Sequence, residues 1–221
     1  MRFKLKTDFA LVALTVVMGL ASAPSHAVTI SGLFNTGTDA SNLALTGGNG
    51  VVDTHYQILS STSPGYAGNQ AVTYFHSAYA ANDANSRWIS LSANGSPGSN
   101  TTVYRTTFDL TGFDPLTALI TGNWGVDNAG SIILNGVYSG ISHTGFSSLV
   151  SFSLNSGFVA GMNTLDFEVR DFGQPTALRV DDLAGTANLY GPGNTVPEPT
   201  SIALLSLGLL GLAARRRKSL V

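Results

Sequence analysis

The sequence predicts an all-β fold, a two-sheet antiparallel β-sandwich, set between an N-terminal signal peptide and a C-terminal transmembrane helix. Three observations carry this expectation. Short runs of Val, Ile, Phe and Tyr alternate with polar residues at a period of two, the pattern of strands with one face buried. Gly, Pro, Asn and Ser interrupt these runs at turn spacing. Both ends of the chain pair an apolar run with basic residues, in mirror order, while the stretch between them contains no lysine.

At the N-terminus, Arg2, Lys4 and Lys6 precede the apolar run from Phe9 to Ala21, and Ser25-His26-Ala27 follows. A basic start, an apolar middle and small residues at the cleavage positions make a secretory signal peptide. Cleavage is expected before Val28, so residues 1–27 are removed on export. The other small-x-small site, Ala21 to Ala23, would leave Pro24 just after the cut.

Residues 28–195 have the size of one domain. Its cations are Arg87, Arg105, Arg170 and Arg179, against eleven Asp and Glu residues. Four minus eleven is a net charge of −7, where the whole chain carries −2. An acidic domain without a basic patch argues against nucleic acid as a partner. There is no cysteine in the chain, which excludes disulfides, thiolate metal sites and cysteine nucleophiles.

Within this domain, Thr102 to Leu110 alternates, with Val103 and Arg105 on the face opposite to Tyr104 and Phe108. Asn135-Gly136 stands between the apolar runs Ser131–Leu134 and Val137-Tyr138, a strong hairpin signal. Thr164 to Asp171 sends Leu165, Phe167 and Val169 inward and Asp166, Glu168 and Arg170 outward. Pro175 is expected to open a final pair of strands, Thr176–Leu183 and Ala184–Tyr190. Asp53 to Thr101 reads as looser, with long loops at Ser60–Gly65 and Ser92–Thr101, and residues 35–50 show no strand pattern. Eight to ten short strands of this kind suit a two-sheet sandwich.

The chain ends with Val196-Pro197-Glu198-Pro199-Thr200, an uncharged Leu-rich segment from Ser201 to Ala214, and the basic cluster Arg215, Arg216, Arg217 and Lys218. As a helix, fourteen residues span about 21 Å, short of the roughly 30 Å of a bilayer core. The basic residues are expected to stay cytoplasmic and to snorkel. In motif, apolar segment and Arg-rich end, residues 196–221 resemble the PEP-CTERM sorting signal of Gram-negative bacteria. The resemblance implies processing by an exosortase, a membrane-embedded cysteine protease, with signal peptidase acting at the other end. It also implies tethering in the inner membrane through the C-terminal helix, followed by delivery to the cell surface or extracellular matrix.

A second resemblance lies inside the domain. Thr107–Leu110, Gly122–Trp124, Val126–Asn128, the Ile133-Leu-Asn-Gly136 hairpin and Phe158 to Leu165, with its Gly-Met-Asn-Thr-Leu run, are similar to galactose-binding-like jelly rolls. Asp53–Tyr56, Ser86–Ile89 and Trp124–Asn128 are similar to ectodomains found in front of PEP-CTERM tails.

Trp124, Asp127 and Asn128 are the candidate ligand-binding residues, with Trp88 as a second aromatic. An indole beside planar acceptors is what a sugar site uses, a flat apolar face with groups that meet hydroxyls. The same stretch also reads as a tight connection, with Gly122, Gly125 and Gly130 forming turns, the Asx residues capping them and the tryptophans in the core. For calcium, which galactose-binding-like domains often hold, the candidate ligands are Asp181, Asp182 and Asp39, all hard oxygen donors. No other cofactor is expected. Catalytic signatures are missing: His55, His76 and His143 are scattered, and neither H-E-x-x-H nor G-x-S-x-G occurs. Asp166 and Glu168 would stand about 6.6–7 Å apart along one strand face, which touches the glycosidase range. A solvated strand face explains them better, since Arg170 follows on the same side. The expected protein is therefore non-enzymatic, a structural or carbohydrate-binding component of exopolysaccharide or biofilm. The alternatives are a polysaccharide hydrolase and a purely structural matrix protein.

Overall fold

Nine strands build residues 27–190, as given by a computed structural model that describes residues 27–95 and 98–190. The signal peptide, the Pro197-Glu198-Pro199 motif, the apolar segment and the basic cluster lie outside the described residues. Among the described residues no helix is long and apolar enough to cross a membrane. The strands are β1 (Ala27–Thr29), β2 (Val52–Ser61), β3 (Gln70–Thr73), β4 (Ile89–Ser90), β5 (Asn100–Asp109), β6 (Leu119–Leu134), β7 (Val137–Leu154), β8 (Met162–Asp171) and β9 (Ala177–Asn188).

The all-β expectation holds, but the two separate sheets do not. One antiparallel sheet runs β1-β9-β4-β3-β2-β5-β8-β6-β7, and a further β6–β9 pairing closes it into a ring. β6 makes the closure. Its first half pairs with β9, from Leu119↔Thr186 to Asp127↔Ala177. Its second half pairs with β8, from Ala129↔Arg170 to Leu134↔Leu165. β7 follows its other edge from Ile120↔Leu154 to Leu134↔Val137. The switch of partner falls at Asp127-Asn128, whose peptide bond is cis.

The glycines of this stretch, which suggest turns in the sequence, are contact positions within a sixteen-residue strand. A Cβ on Gly125 would stand 2.8 Å from both Leu149 Cδ2 and Trp88 Cη2, and one on Gly130 would stand 2.8 Å from the Glu168 carbonyl oxygen. Close approach of another segment is one reason a strand carries glycine. A second correction follows the same logic. The expected strand pair Thr176–Leu183 and Ala184–Tyr190 is the single strand β9. Its Gly185 lies against Leu33, Ile30 and Ile120 instead of turning.

The Asn135-Gly136 hairpin forms as expected, with φ of 52° and 78° at its two turn residues, the positive values that a tight hairpin demands. Leu165, Phe167 and Val169 of β8 are fully buried, as are Tyr104, Ile120, Trp124, Ile132 and Val180 around them. Asp166 departs from its expected outward, solvated position: it is buried beneath Arg105, whose Nε and one terminal nitrogen donate to its two oxygens at 2.7 Å each. β2, in the region that reads as loose, buries Asp53, Tyr56 and Ile58.

The two asparagines of the jelly-roll-like motifs meet. Asn135 Nδ2 donates to Asn163 Oδ1 at 2.8 Å, and Asn135 Oδ1 accepts from the Thr164 N–H at 2.9 Å. Asn163 Nδ2 in turn donates to the carbonyls of Val159 and Gly161. These motifs therefore tie the β6–β7 turn to the entry of β8. At the start of the domain, β1 pairs with the last residues of β9, Ala27↔Asn188 to Thr29↔Thr186. The folded unit is thus entered and left at one end.

Candidate functional site

Of the residues singled out in the sequence, Trp124, Trp88 and Asp127 prove to be interior. Trp124 and Trp88 are both 0% exposed, so neither offers a ring face to a ligand, in contrast to the expectation of a sugar platform. Trp124 packs against Phe167 and His143, each with a ring centroid at 5.9 Å. Trp88 stacks obliquely on Tyr79 at 4.6 Å and donates its indole N–H to the Ala80 carbonyl at 2.8 Å. With Tyr74, Phe146 and Leu149 it forms a satellite core beneath the 74–82 loop.

Asp127 is buried as well. Its Oδ2 accepts from the Tyr79 hydroxyl at 2.8 Å. Burial raises its pKa above the ordinary value, opposed by that hydrogen bond and assisted by the neighbouring Asp171. Asn128 Oδ1 accepts from the Phe172 N–H at 2.8 Å and so caps the turn after β8. The Asx side chains of this stretch thus bind the fold itself, as side chains at turns and strand ends commonly do.

The three calcium candidates do not converge. Asp39 Oδ1 accepts from the Ser41 and Leu43 N–H groups of its own loop. Asp181 lies against Arg179, and Asp182 Oδ2 accepts from Asn123 Nδ2 at 3.1 Å. Among the described residues no three His, Asp or Glu side chains group as metal ligands do.

The sheet nevertheless carries an open groove that these candidates only touch. It has a volume of about 430 Å³ and is lined by Thr121, Gly122 and Asn123 of β6, Ser151, Phe152 and Ser153 of β7, and Asp182 of β9. Strand geometry builds it. Thr121 is opposite Ser153 and Asn123 opposite Ser151, and residues two apart on a strand share a face. Four polar side chains therefore form a grid, with directly opposed Cβ atoms about 5 Å apart. Asp182, in the left-handed region at φ 51°, stands at its edge. A smaller hollow of about 180 Å³ shares Ser153 and brings in Tyr138, which is 55% exposed.

Hydroxyls, an amide and one carboxylate around an open groove can accept and donate hydrogen bonds to a polyol. They supply no nucleophile–base pair. Sequence reading missed this site because Thr121, Ser151 and Ser153 are unremarkable residue types. The alternation Ser151-Phe152-Ser153-Leu154 was the available signal.

Asp166 and Glu168 do not form a free carboxylate pair, since Asp166 is held by Arg105 and Glu168 lies 3.7 Å from Arg170.

Among solved structures, the chain is similar to a Stig cyclase, Fisc from Fischerella sp. TAU, at 14% identity, covering 74% of this chain and 99% of that one with a TM-score of 0.43. It is also similar to the CBM36-1 domain of a multidomain xylanase from the hindgut metagenome of Trinervitermes trinervoides, at 14% identity over 73% and 95% of the two chains (TM-score 0.29). CBM35 from Paenibacillus barcinonensis is a further neighbour, at 14% identity over 61% and 96% (TM-score 0.29). No curated protein matches the sequence. Residues 195–218 match the PEP-CTERM protein-sorting motif, and the chain thereby carries the sorting signal of an exosortase substrate.

Proposed function

We propose that the protein is an exported, exosortase-sorted surface or matrix component that binds carbohydrate without transforming it. The groove of Thr121, Asn123, Ser151, Ser153 and Asp182, with Tyr138 beside it, is the binding site. The observation that carries this reading is the two-by-two grid of polar side chains on β6 and β7, open to solvent and lined by donors and acceptors. Ligand sites combine a concave surface with a few convergent polar groups, and Tyr138 adds the exposed ring on which a sugar face packs. The sorting motif supports placement outside the cytoplasm. A single carboxylate in the groove supports binding over hydrolysis, which needs two.

A second reading, a structural matrix protein with no glycan ligand, is favoured by the burial of both tryptophans. A glycan array with the full chain separates the two. Binding that is lost in Asn123→Ala and Ser153→Trp variants of unchanged melting temperature supports the lectin-like reading. Binding that survives both variants, or no binding to any glycan, overturns it.

A further inference from the structure

Resting on the carbohydrate reading of the groove, we infer its ligand class: a polymer of amino sugars with free, protonated amines, of the glucosamine type, in preference to neutral or uronic-acid glycans. The inference begins with the fate of the positive charges. No lysine and only four arginines occur between residues 28 and 190, and none of the four lines the groove. Arg105 forms its two-point contact with Asp166. Arg170 lies beside Glu168. Arg87 donates to the carbonyls of Leu45, Gly47 and Gly48.

Arg179, the cation nearest the groove in sequence, is 2% exposed. It donates to Ser86 Oγ at 2.7 Å and to Asp83 Oδ2 at 2.6 Å, contacts the Ala81 carbonyl, and lies 3.3 Å from Asp181. A uronate, sulfate or phosphate on a glycan in the groove would therefore meet no cation among the lining residues, and would approach a domain of net charge −7.

The groove itself offers the opposite charge. Asp182 is its one ionisable residue and is exposed. Asn123 Nδ2 holds Oδ2, while Oδ1 accepts no hydrogen bond among the described residues. An ammonium group carries three donors and no acceptor. Asp182 would receive one in a charge-assisted bond, and the hydroxyls of Ser151, Ser153 and Thr121 accept further donors from the same sugar. N-acetylation removes that charge and its donors.

The test measures binding of the full chain to three oligosaccharides of equal length: glucosamine, N-acetylglucosamine and galacturonate. Titration calorimetry at about pH 5.5 keeps the sugar amine protonated. Glucosamine oligomers are expected to bind about tenfold or more tightly than the N-acetylated form, the scale of one charge-assisted bond. Added salt should narrow the gap. Asp182→Asn, which Asn tolerates at positive φ, should bring the two ligands within about twofold of each other. Asp182→Gly checks that result against local strain. Asp39→Asn, on the 35–45 loop, should leave the preference intact. Equal or tighter binding of the N-acetylated or uronate ligand overturns the inference and leaves the carbohydrate reading standing. So does an equal loss in Asp39→Asn, which would assign the preference to net charge alone. Binding of none of the three, together with a blank glycan array, sinks both.

Discussion

Asp53 should make the fold less stable as the pH rises from about 4 to about 6. This carboxyl is 0% exposed at the start of β2. Its Oδ2 accepts from the Gly37 N–H at 2.7 Å and its Oδ1 from the His55 N–H at 2.8 Å. Burial pushes its pKa up from the ordinary 3.8 to about 6, against the opposing pull of those N–H donors. The folded state therefore holds the proton more tightly than the unfolded chain does. Stability is highest below the unfolded pKa, falls as the pH passes between the two values, and is flat above the folded one. At about 1.4 kcal/mol per pKa unit, the drop attributable to Asp53 is about 3 kcal/mol.

Asp53→Asn cannot ionise and should lose that part of the slope. It should also lose about 1–3 kcal/mol at acid pH, because its Nδ2 then faces a backbone N–H. Urea denaturation of both proteins between about pH 4 and about pH 7 measures the difference. Asp127, Asp171 and Asp181, whose pKa values burial also raises, contribute equally to both proteins and cancel. Parallel curves for the two proteins across the window would refute the reasoning.

Two further expectations concern the fold. Gly130→Ala puts a Cβ 2.8 Å from the Glu168 carbonyl oxygen and 3.0 Å from Val126 Cγ1, so thermal denaturation should show a loss of about 1–3 kcal/mol. Gly48→Ala, whose Cβ meets nothing within 4 Å, serves as the near-neutral control. Asn163→Ala removes four hydrogen bonds from a fully buried side chain, two accepted by Oδ1 and two donated by Nδ2. It should cost about 2–4 kcal/mol, and a double-mutant cycle with Asn135→Ala should be non-additive.

Local features of this protein could be read directly from the chain. The period of two placed Leu165, Phe167 and Val169 in the core. Asn-Gly formed the hairpin because only positive φ values fit a two-residue turn. The terminal motif was legible because its three parts are contiguous. Each of these depends on residues a few positions apart.

Tertiary structure decided the remainder, through partners distant in the chain. Gly125 and Gly130 look alike as turn or contact residues until Trp88 and Glu168 arrive beside them. Alternation identified a polar face for Asp166, but Arg105, sixty-one residues away, buries it. β2 was obscured because Asp53, His55 and Gln57 dilute its apolar alternation, and buried Asp53 is satisfied by the His55 N–H beside it together with the Gly37 N–H, sixteen residues away. The groove shows the same division. Ser151, Ser153, Thr121 and Asn123 are ordinary surface residues in sequence, and only the β6–β7 register and the β6–β9 closure bring them together with Asp182. Side-chain period is a property of one strand. Which edges meet is a property of the whole chain, and in this protein the edges that meet made both the ring and the site.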